Sequence, residues 1–566
     1  MLHLVSLPSS LFSACVVGAF LLGAGTAQTN RVLYTMSGDA AGDALGEAVS
    51  GCGDLDGDGL ADVVVGGPWS DAGGTDSGKV SLVGRGGRVI ATLVGANPGD
   101  LFGFAVAGLG DVDGDGVEDL IVGAPGANPR GVHSGRTQVL SGRTRSVLYT
   151  IDGDAAGDEC GYAVGSAADI DRDGRADFIV GFHLADAPRP DTGIARVYSG
   201  RDGSVLRDLR GVAEGDHFGA WVGEVGDVNA DGFPDFIVTA PWADVGFLKS
   251  GSATVYSGAD GSVLHLLHGQ GAGHEFGTAF AKIGDVDGDG HADLFIAEPE
   301  HKLNGDDAGA VRLFSGRTGA QLLILHGSHP YEYFGLTIGG GDFDADGVPD
   351  LVVGAFLEDT GAPNGGTVYV YSGATFARIF AAHGSAHSDQ LGRGVAFAGD
   401  LDGDGIGDII AGVPGLDTGA GIDSGGLRAY CGMPSAPATY TFGTGCPASR
   451  PFSLSFSGSS QVGQVLHFDL AQGPTAVPLA WIVLALRDQP PLDLSAAGMP
   501  GCTLYQPLEI LIPIALASGA GSLPLPIPPL SGACGLQLFS QGLGWEPGIN
   551  PLGVITSNGG RVVVSP

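Results

Sequence analysis

Short apolar runs punctuated by glycine recur along the first three quarters of the chain, and none keeps a helical period. In one unit, small residues from Phe104 to Gly110 lead into a polar stretch, and Leu120-Ile121-Val122-Gly123 then forms a run of strand length. A Gly-rich polar loop follows in each unit, then a segment ending in Ser-Gly, such as Ala195 to Gly200 or Thr367 to Gly373. The tight turn Arg201-Asp202-Gly203 leads to a fourth segment, Ser204 to Leu209. Four strand-length segments separated by turn residues predict one antiparallel sheet per unit.

The unit returns seven times. The aspartate that opens its polar stretch falls at Asp54, Asp111, Asp169, Asp227, Asp285, Asp342 and Asp400, always 57 or 58 residues apart. Such a period marks a repeat architecture. Seven sheets predict an all-β, seven-bladed β-propeller, with an open solenoid of sheets as the rival. The ends of the array separate the two. Val32-Leu33-Tyr34-Thr35 matches the fourth-strand sequence Val147-Leu148-Tyr149-Thr150, so the array begins with an orphan fourth strand. It ends at Leu427-Arg428-Ala429-Tyr430, a third strand with no fourth behind it. The orphan completes the last sheet and closes the ring, which removes its open edges.

The polar stretch carries the chemistry. "DVDGDGVED" places carboxylates at positions 1, 3, 5 and 9 and glycine at position 6. The candidate metal ligands are Asp54, Asp56, Asp58 and Asp62; Asp111, Asp113, Asp115 and Asp119; Asp169, Asp171, Asp173 and Asp177; Asp227, Asn229, Asp231 and Asp235. The last three loops supply Asp285, Asp287, Asp289 and Asp293; Asp342, Asp344, Asp346 and Asp350; Asp400, Asp402, Asp404 and Asp408. So many like charges in a tight turn repel one another unless a cation sits among them, and hard oxygen donors in this number select Ca²⁺. About seven structural calcium sites are expected, with the position-7 carbonyl contributing. Positions 1, 3, 5 and 6 match the EF-hand loop, but the last carboxylate comes early and strands flank it. Asn229 leaves the fourth loop one charge short, and Arg172 and Arg175 are expected to weaken the third.

These loops hold 27 of the 63 acidic residues, so the net charge of -37 is largely a ligand inventory. The same charge argues against a nucleic-acid partner, whose phosphates it would repel. At the start, an apolar stretch from Leu11 to Leu22 precedes Gly25-Thr26-Ala27, the pattern of a signal peptide over residues 1–27. No other apolar run is long enough to span a bilayer, so a secreted or cell-surface protein without a transmembrane segment is expected. Six cysteines then remain, and Cys431, Cys446, Cys502 and Cys534 cluster late, with three possible pairings. Cys52 and Cys160 stand in non-adjacent repeats and are expected to be buried free thiols.

The order Phe102-Gly103, Asp loop, Gly123-Ala124-Pro125 resembles the FG-GAP repeat of the integrin alpha-subunit propeller, also seen in bacterial exported proteins. Phe218-Gly219, Phe276-Gly277 and Phe334-Gly335 repeat its first half. Leu45-Gly46, Cys160-Gly161, Leu391-Gly392 and Gly181-Phe182-His183 depart from it, at a cost in packing rather than in metal ligands. The resemblance covers residues 31–432 and implies structural calcium loops on a ligand-binding ring. From Met433 the composition changes: residues 433–566 hold 18 of the 32 prolines and only three Lys or Arg. The apolar runs Leu479 to Leu486 and Leu508 to Leu516 predict a small β-sandwich. Around Gly443-Thr444-Gly445-Cys446-Pro447 and Cys502 this part resembles a C-terminal module of exported planctomycete-type proteins, which makes Cys446–Cys502 the leading disulfide.

No Gly-x-Ser-x-Gly elbow, His-Glu-x-x-His or Cys/His cluster appears, so no catalytic residues are assigned and the chain is not expected to be an enzyme. An exported calcium-binding adhesion platform for a protein or glycan is the leading function. A polysaccharide-acting lyase or hydrolase, or a structural envelope component, are the alternatives. In such a ring the Asp loops share one face. The other carries Trp69 and Trp242, the candidate ligand-binding residues, with His217, His274 and His387. His268, His326 and His383 precede Gly at equivalent places in successive units, a repetition that favours a structural role.

Overall fold

The computed structural model describes residues 32–432, apart from Pro188, and beyond them the strand segments between 439 and 563. The expected signal peptide and Cys446, Cys502 and Cys534 lie outside the described residues. The chain divides into two compact units, the first being Val32–Gly432.

That unit consists of seven four-stranded antiparallel sheets. Blades 1 to 6 span 48–94, 105–152, 164–210, 222–268, 280–326 and 338–383. Blade 7 combines strands within 395–430 with the N-terminal strand Val32–Ser37, which pairs with Gly426–Tyr430: Thr35 lies opposite Arg428 and Ser37 opposite Gly426. The ring is therefore closed by its own first strand, as the orphan segment predicts. In blade 2 the strands run Ala105–Gly110, Asp119–Ala124, Arg136–Leu140 and Val147–Asp152, in spatial as in chain order.

Burial explains the sequence pattern strand by strand. The second strands Asp119–Ala124, Asp177–Phe182 and Asp350–Ala355 are buried at every position, because neighbouring blades cover both faces of each sheet. Continuous apolar runs rather than alternation are the result. The outer strands Val147–Asp152 and Val205–Arg210 are only part-buried and carry polar residues. The core lies between adjacent blades: Val64, Val80 and Leu82 of blade 1 pack with Phe102, Leu120, Val122 and Leu140 beside blade 2. Each fully buried side chain of this size contributes roughly 1.5–3 kcal/mol.

The Phe-Gly and Gly-Ala-Pro segments fix the spacing of the blades. Gly103 N–H donates to Gly123 O at 3.0 Å, and Gly335 and Gly392 do the same to Gly354 and Gly412. Gly103 has φ +91°, a conformation that disfavours side chains. A Cβ at Gly123 would lie 1.9 Å from Gly161 O of the next blade, and one at Gly412 would lie 1.8 Å from Gly46 O. Phe102, Phe276 and Phe334 are buried, as are Leu45, Cys160 and Leu391 where the motif departs. Phe102, Cys160 and Leu391 each bridge to a glycine of the preceding blade, Gly78, Gly135 and Gly366. The departures change the plug and keep the joint.

Cys52 and Cys160 are free and buried, while Cys431 is disulfide-bonded. Beyond the ring, Thr439–Phe442, Val554–Val563, Gln537–Trp545, Leu479–Ala485 and Ile510–Ala515 form a five-stranded sheet in that order. Ser453–Gly458, Val465–Ala471 and Gly521–Pro526 form a three-stranded one. Packing of the two as a β-sandwich is a proposal. Among the described residues, no helix is long and apolar enough to cross a membrane.

Two predictions follow the geometry of closure. Gly123→Ala should lower the unfolding free energy by about 3 kcal/mol or more, because its new methyl meets a backbone carbonyl. Gly57→Ala, whose Cβ meets nothing within 4 Å, should lose only about 1 kcal/mol to left-handed strain. Urea denaturation of both variants checks this, and equal losses would contradict it. Deleting Val32–Ser37 should leave the Gly426–Tyr430 edge unpaired, lower the melting temperature and promote aggregation. A deletion variant that melts and elutes like the full chain would rule out this role for the strand.

Candidate functional site

Each Asp loop joins the first and second strands of its blade, so all seven share one face. The loops are held by one pattern of hydrogen bonds. The position-1 carboxylate accepts the position-6 glycine N–H: Gly59 to Asp54 at 2.8 Å, Gly116 to Asp111 at 2.9 Å, Gly290 to Asp285 at 2.7 Å, with matching bonds to Asp169, Asp227, Asp342 and Asp400. The position-5 carboxylate accepts the position-7 N–H, as Val117 does to Asp115 at 2.9 Å. Glycine at position 6 takes φ +84° in loop 2, which turns the chain back on itself. Ligand atoms of Asp54, Asp56 and Asp58, and likewise of Asp111, Asp113 and Asp115, come within 4.8 Å of one another.

Position 9 does different work. Asp62, Asp119, Asp177, Asp235, Asp293, Asp350 and Asp408 are all fully buried. Asp119 accepts Val112 N–H at 2.7 Å and, from the far end of the third strand, Gly142 N–H at 2.8 Å. Asp177, Asp235, Asp293, Asp350 and Asp408 bind Gly200, Gly258, Gly316, Gly373 and Gly432 in the same way. This carboxylate ties the loop to its sheet, and it stands outside the trios formed by positions 1, 3 and 5 in the first two loops.

The donor set fits a hard divalent cation. Asp62 Oδ1, Asp342 Oδ1 and Asp402 Oδ2 are buried without a hydrogen-bond partner. Burial holds Asp62, Asp235, Asp350 and Asp402 up at about 6 and Asp177 at about 7, with neighbouring loop carboxylates adding to the rise. These are anions short of positive charge. Some is supplied by arginine: Arg143 Nε donates to Asp115 Oδ2 at 2.8 Å, and Arg88 pairs with Asp56. The arginines of the third loop both reach beyond it. Arg172 lies over the Phe233 ring of loop 4, 3.4 Å from its centroid, and Arg175 reaches Gly114 of loop 2.

The opposite face has another character. Trp69, Val132, Phe247, Leu248, Leu303 and Ile422 are exposed in the second-to-third-strand loops, and Val212 and Tyr331 in the links between blades. Among the described residues, the other exposed large apolar side chains lie on outer strands, and none lies in an Asp loop. At the ring axis a cavity of about 330 Å³ is lined by Glu47, Phe104, Tyr162, Trp221, Leu336 and Arg393, among others. Arg393 pairs with Glu47 at 2.7 Å, linking blade 7 to blade 1. Tyr162 lies against His183 with ring centroids 3.9 Å apart and planes tilted by 32°, and the Trp242 ring lies 4.9 Å from His217 and 6.2 Å from Trp221. Burial pulls His183 down to about 3, so it is neutral.

Trp69 and Trp242 are not brought together. Trp69 is 44% exposed and lines a pocket with Glu47, Gln390 and Pro414. Trp242 belongs to the aromatic arc and to a separate cavity of about 560 Å³ with His217, Leu248 and Lys249. The axial residues Glu47, Phe104, Tyr162, Leu336 and Arg393 were missed in the sequence, although each immediately follows the glycine of its Phe-Gly position. His274 and His301 were not seen as partners either. They meet at Glu298 in blade 5, with their ring centroids 4.5 Å apart and His326 5.0 Å from His301.

Known proteins share this organisation. The FG-GAP repeat matches residues 45–83, 102–140 and 219–262, and the FG-GAP-like repeat matches 285–353. Integrin alpha-5 of Xenopus laevis is 27% identical over 286 residues, 49% of this chain and 22% of that protein. Integrin alpha pat-2 of Caenorhabditis elegans is 31% identical over 223 residues, covering 35% and 18%. Integrin alpha-V of Gallus gallus is 30% identical over 243 residues, covering 40% and 23%. The chain folds as a seven-bladed β-propeller that carries FG-GAP repeats and is similar there to integrin alpha chains. It spans less than a quarter of the length of each of these three relatives.

The raised carboxylates set a pH dependence. Their folded values lie above the unfolded value of about 3.9, so the folded state binds more protons between about pH 4 and pH 7. In chelator, stability from these groups should be fully present below about pH 4 and should fall as pH rises toward 7. A cation that needs the ionised loops reverses the trend, so its stabilising increment should grow over the same window. Melting curves at several pH values, with EDTA and with Ca²⁺, check both signs.

Proposed function

We propose that this chain is an exported, calcium-stabilised propeller that works as an extracellular ligand-binding or adhesion platform. The observation that carries the reading is the division of labour between its two faces: carboxylate loops on one, exposed apolar and aromatic side chains on the other. Side chains at positions 1, 3 and 5 would hold each cation, with the position-7 carbonyl beside them and position 9 anchoring the loop. Ca²⁺ would supply the positive charge that lets these carboxylates stay ionised together. Part-exposed aromatic side chains beside Arg393 and Lys249 offer anchors of the kind that dominate protein interfaces. Likeness to integrin alpha chains supports ligand binding as the class of activity. The platform reading is preferred to an enzyme because both clusters of carboxylates and aromatics have a packing or cation-holding role.

Export rests on the N-terminal signal-peptide pattern. Extracellular modules bind Ca²⁺ at about 10⁻⁴–10⁻³ M, and such a ligand stabilises by mass action. The melting temperature should therefore rise with Ca²⁺ concentration. Calorimetry should count about seven sites, and Asp113→Ala with Asp115→Ala should remove one of them. An unmoved melting temperature in EDTA, with no bound calcium by titration, would refute the cation role. Screening protein and glycan arrays with and without EDTA tests the platform: binding should be lost in Trp242→Ala and retained in the loop-2 variant.

A further inference from the structure

Blade 5 departs from its neighbours, blades 4 and 6, which place Ala240 and Ala355 here: Ala297-Glu298-Pro299 stands where blade 2 has Gly123-Ala124-Pro125. Glu298 is fully buried. Around it stand His274, from the link entering the blade, and His301, from the loop after the second strand. His274 Nδ1 lies 3.5 Å and His301 Nε2 4.0 Å from Glu298 Oε2, and the three ligand atoms all fall within 4.8 Å of one another. Donors about 2.0–2.1 Å from a tetrahedral zinc lie about 3.3 Å apart, so little movement separates this arrangement from a coordination sphere.

Two further observations point to a ligand. Glu298 Oε1 and His274 Nδ1 are buried with no hydrogen-bond partner, an expensive state for groups this far from water. The His274 ring is seated against Gly271, where a Cβ would come within 2.3 Å of Nε2. Arg312 Nη2 donates to the same Oε2 of Glu298 at 3.0 Å while its Nη1 donates to Gln321 at 3.2 Å, which holds the carboxylate in place as outer partners of metal ligands do. His326 stands next to His301, ring centroids 5.0 Å apart, with its own Nδ1 buried without a hydrogen-bond partner. Metallation of His301 Nε2 would place the proton on Nδ1 and give up the long 3.3 Å contact from Leu303 N–H.

We infer that His274, Glu298 and His301 form a binding site for a late first-row divalent ion, Zn²⁺ foremost, on the face opposite the Asp loops. Imidazole donors select such ions, whereas the all-oxygen loops suit Ca²⁺. One chain thus separates two cations by donor chemistry.

The test uses the full chain, stripped of metal and held in excess Ca²⁺, titrated with Co²⁺ as a spectroscopic probe. The expected result is visible ligand-field absorption that saturates at one equivalent and is displaced by Zn²⁺. It should vanish in His274→Ala with His301→Ala, weaken in Glu298→Gln by about 10- to 100-fold or more in affinity, and persist in the loop-2 double variant. A wild-type chain without these bands overturns the inference, and so do bands that survive loss of both histidines. His301→Gln, close in size, serves if the double variant does not fold. Because the readout is cobalt absorption, failure of the calcium reading and failure of this site are distinguishable.

Discussion

Everything in the ring depends on how closely one backbone can approach the next. Where Gly123 faces Gly161 O and Gly412 faces Gly46 O, there is no space for a side chain. Gly66, Gly181 and Gly354 stand at the same joint, each with a carbonyl of the next blade about as close. Blades 4 and 5 place Thr239 and Ala297 at this joint, and there a Cβ at Gly277 would lie 3.0 Å from Thr239 Cβ. Apolar burial supplies the attraction between blades, while the carbonyl-to-glycine contacts set the distance at which it acts.

The same joint places the two kinds of surface. Strands that alternate direction send every first connection to one end of the ring and every second connection to the other. Carboxylates therefore gather on one face by topology alone, with position 9 bolted to the end of the third strand through Gly142 and its equivalents. Residues that follow the Phe-Gly glycine gather around the axis at the opposite end. The carboxylate loops and the exposed apolar and aromatic side chains of the connecting loops are kept apart by the fold.

Much of this was legible in the sequence, for reasons that can be stated. A seven-fold period averages out local ambiguity, and matching Val32–Thr35 to Val147–Thr150 locates the closing strand before any contact is known. Features with a single copy, or that need the ring to bring them together, were not legible. Glu298 ends a strand while His274 and His301 sit in two different connections, so no linear pattern brings them together. Arg172 and Arg175 looked like intruders in their own loop because nothing in a linear reading shows that they reach Phe233 and Gly114 of adjacent blades. The anchoring role of position 9 depends on a glycine 23 residues later, a separation that motif spacing does not encode.

The closing strand has a consequence for the order of events during folding. Val32 pairs with Tyr430, so the first ordered strand of the ring waits for almost its last. Intermediate blades can pair locally as they emerge, but the seventh cannot form until its outer strand finds a partner from the other end of the chain. The entropy of such a closure grows only slowly with length, by about 0.6 kcal/mol per doubling, so the final state is scarcely penalised. The rate is another matter, since non-local pairing slows folding. Until that moment two sheet edges remain open to strands of other chains. The strand that seals the ring is thus also the one whose absence keeps it open longest.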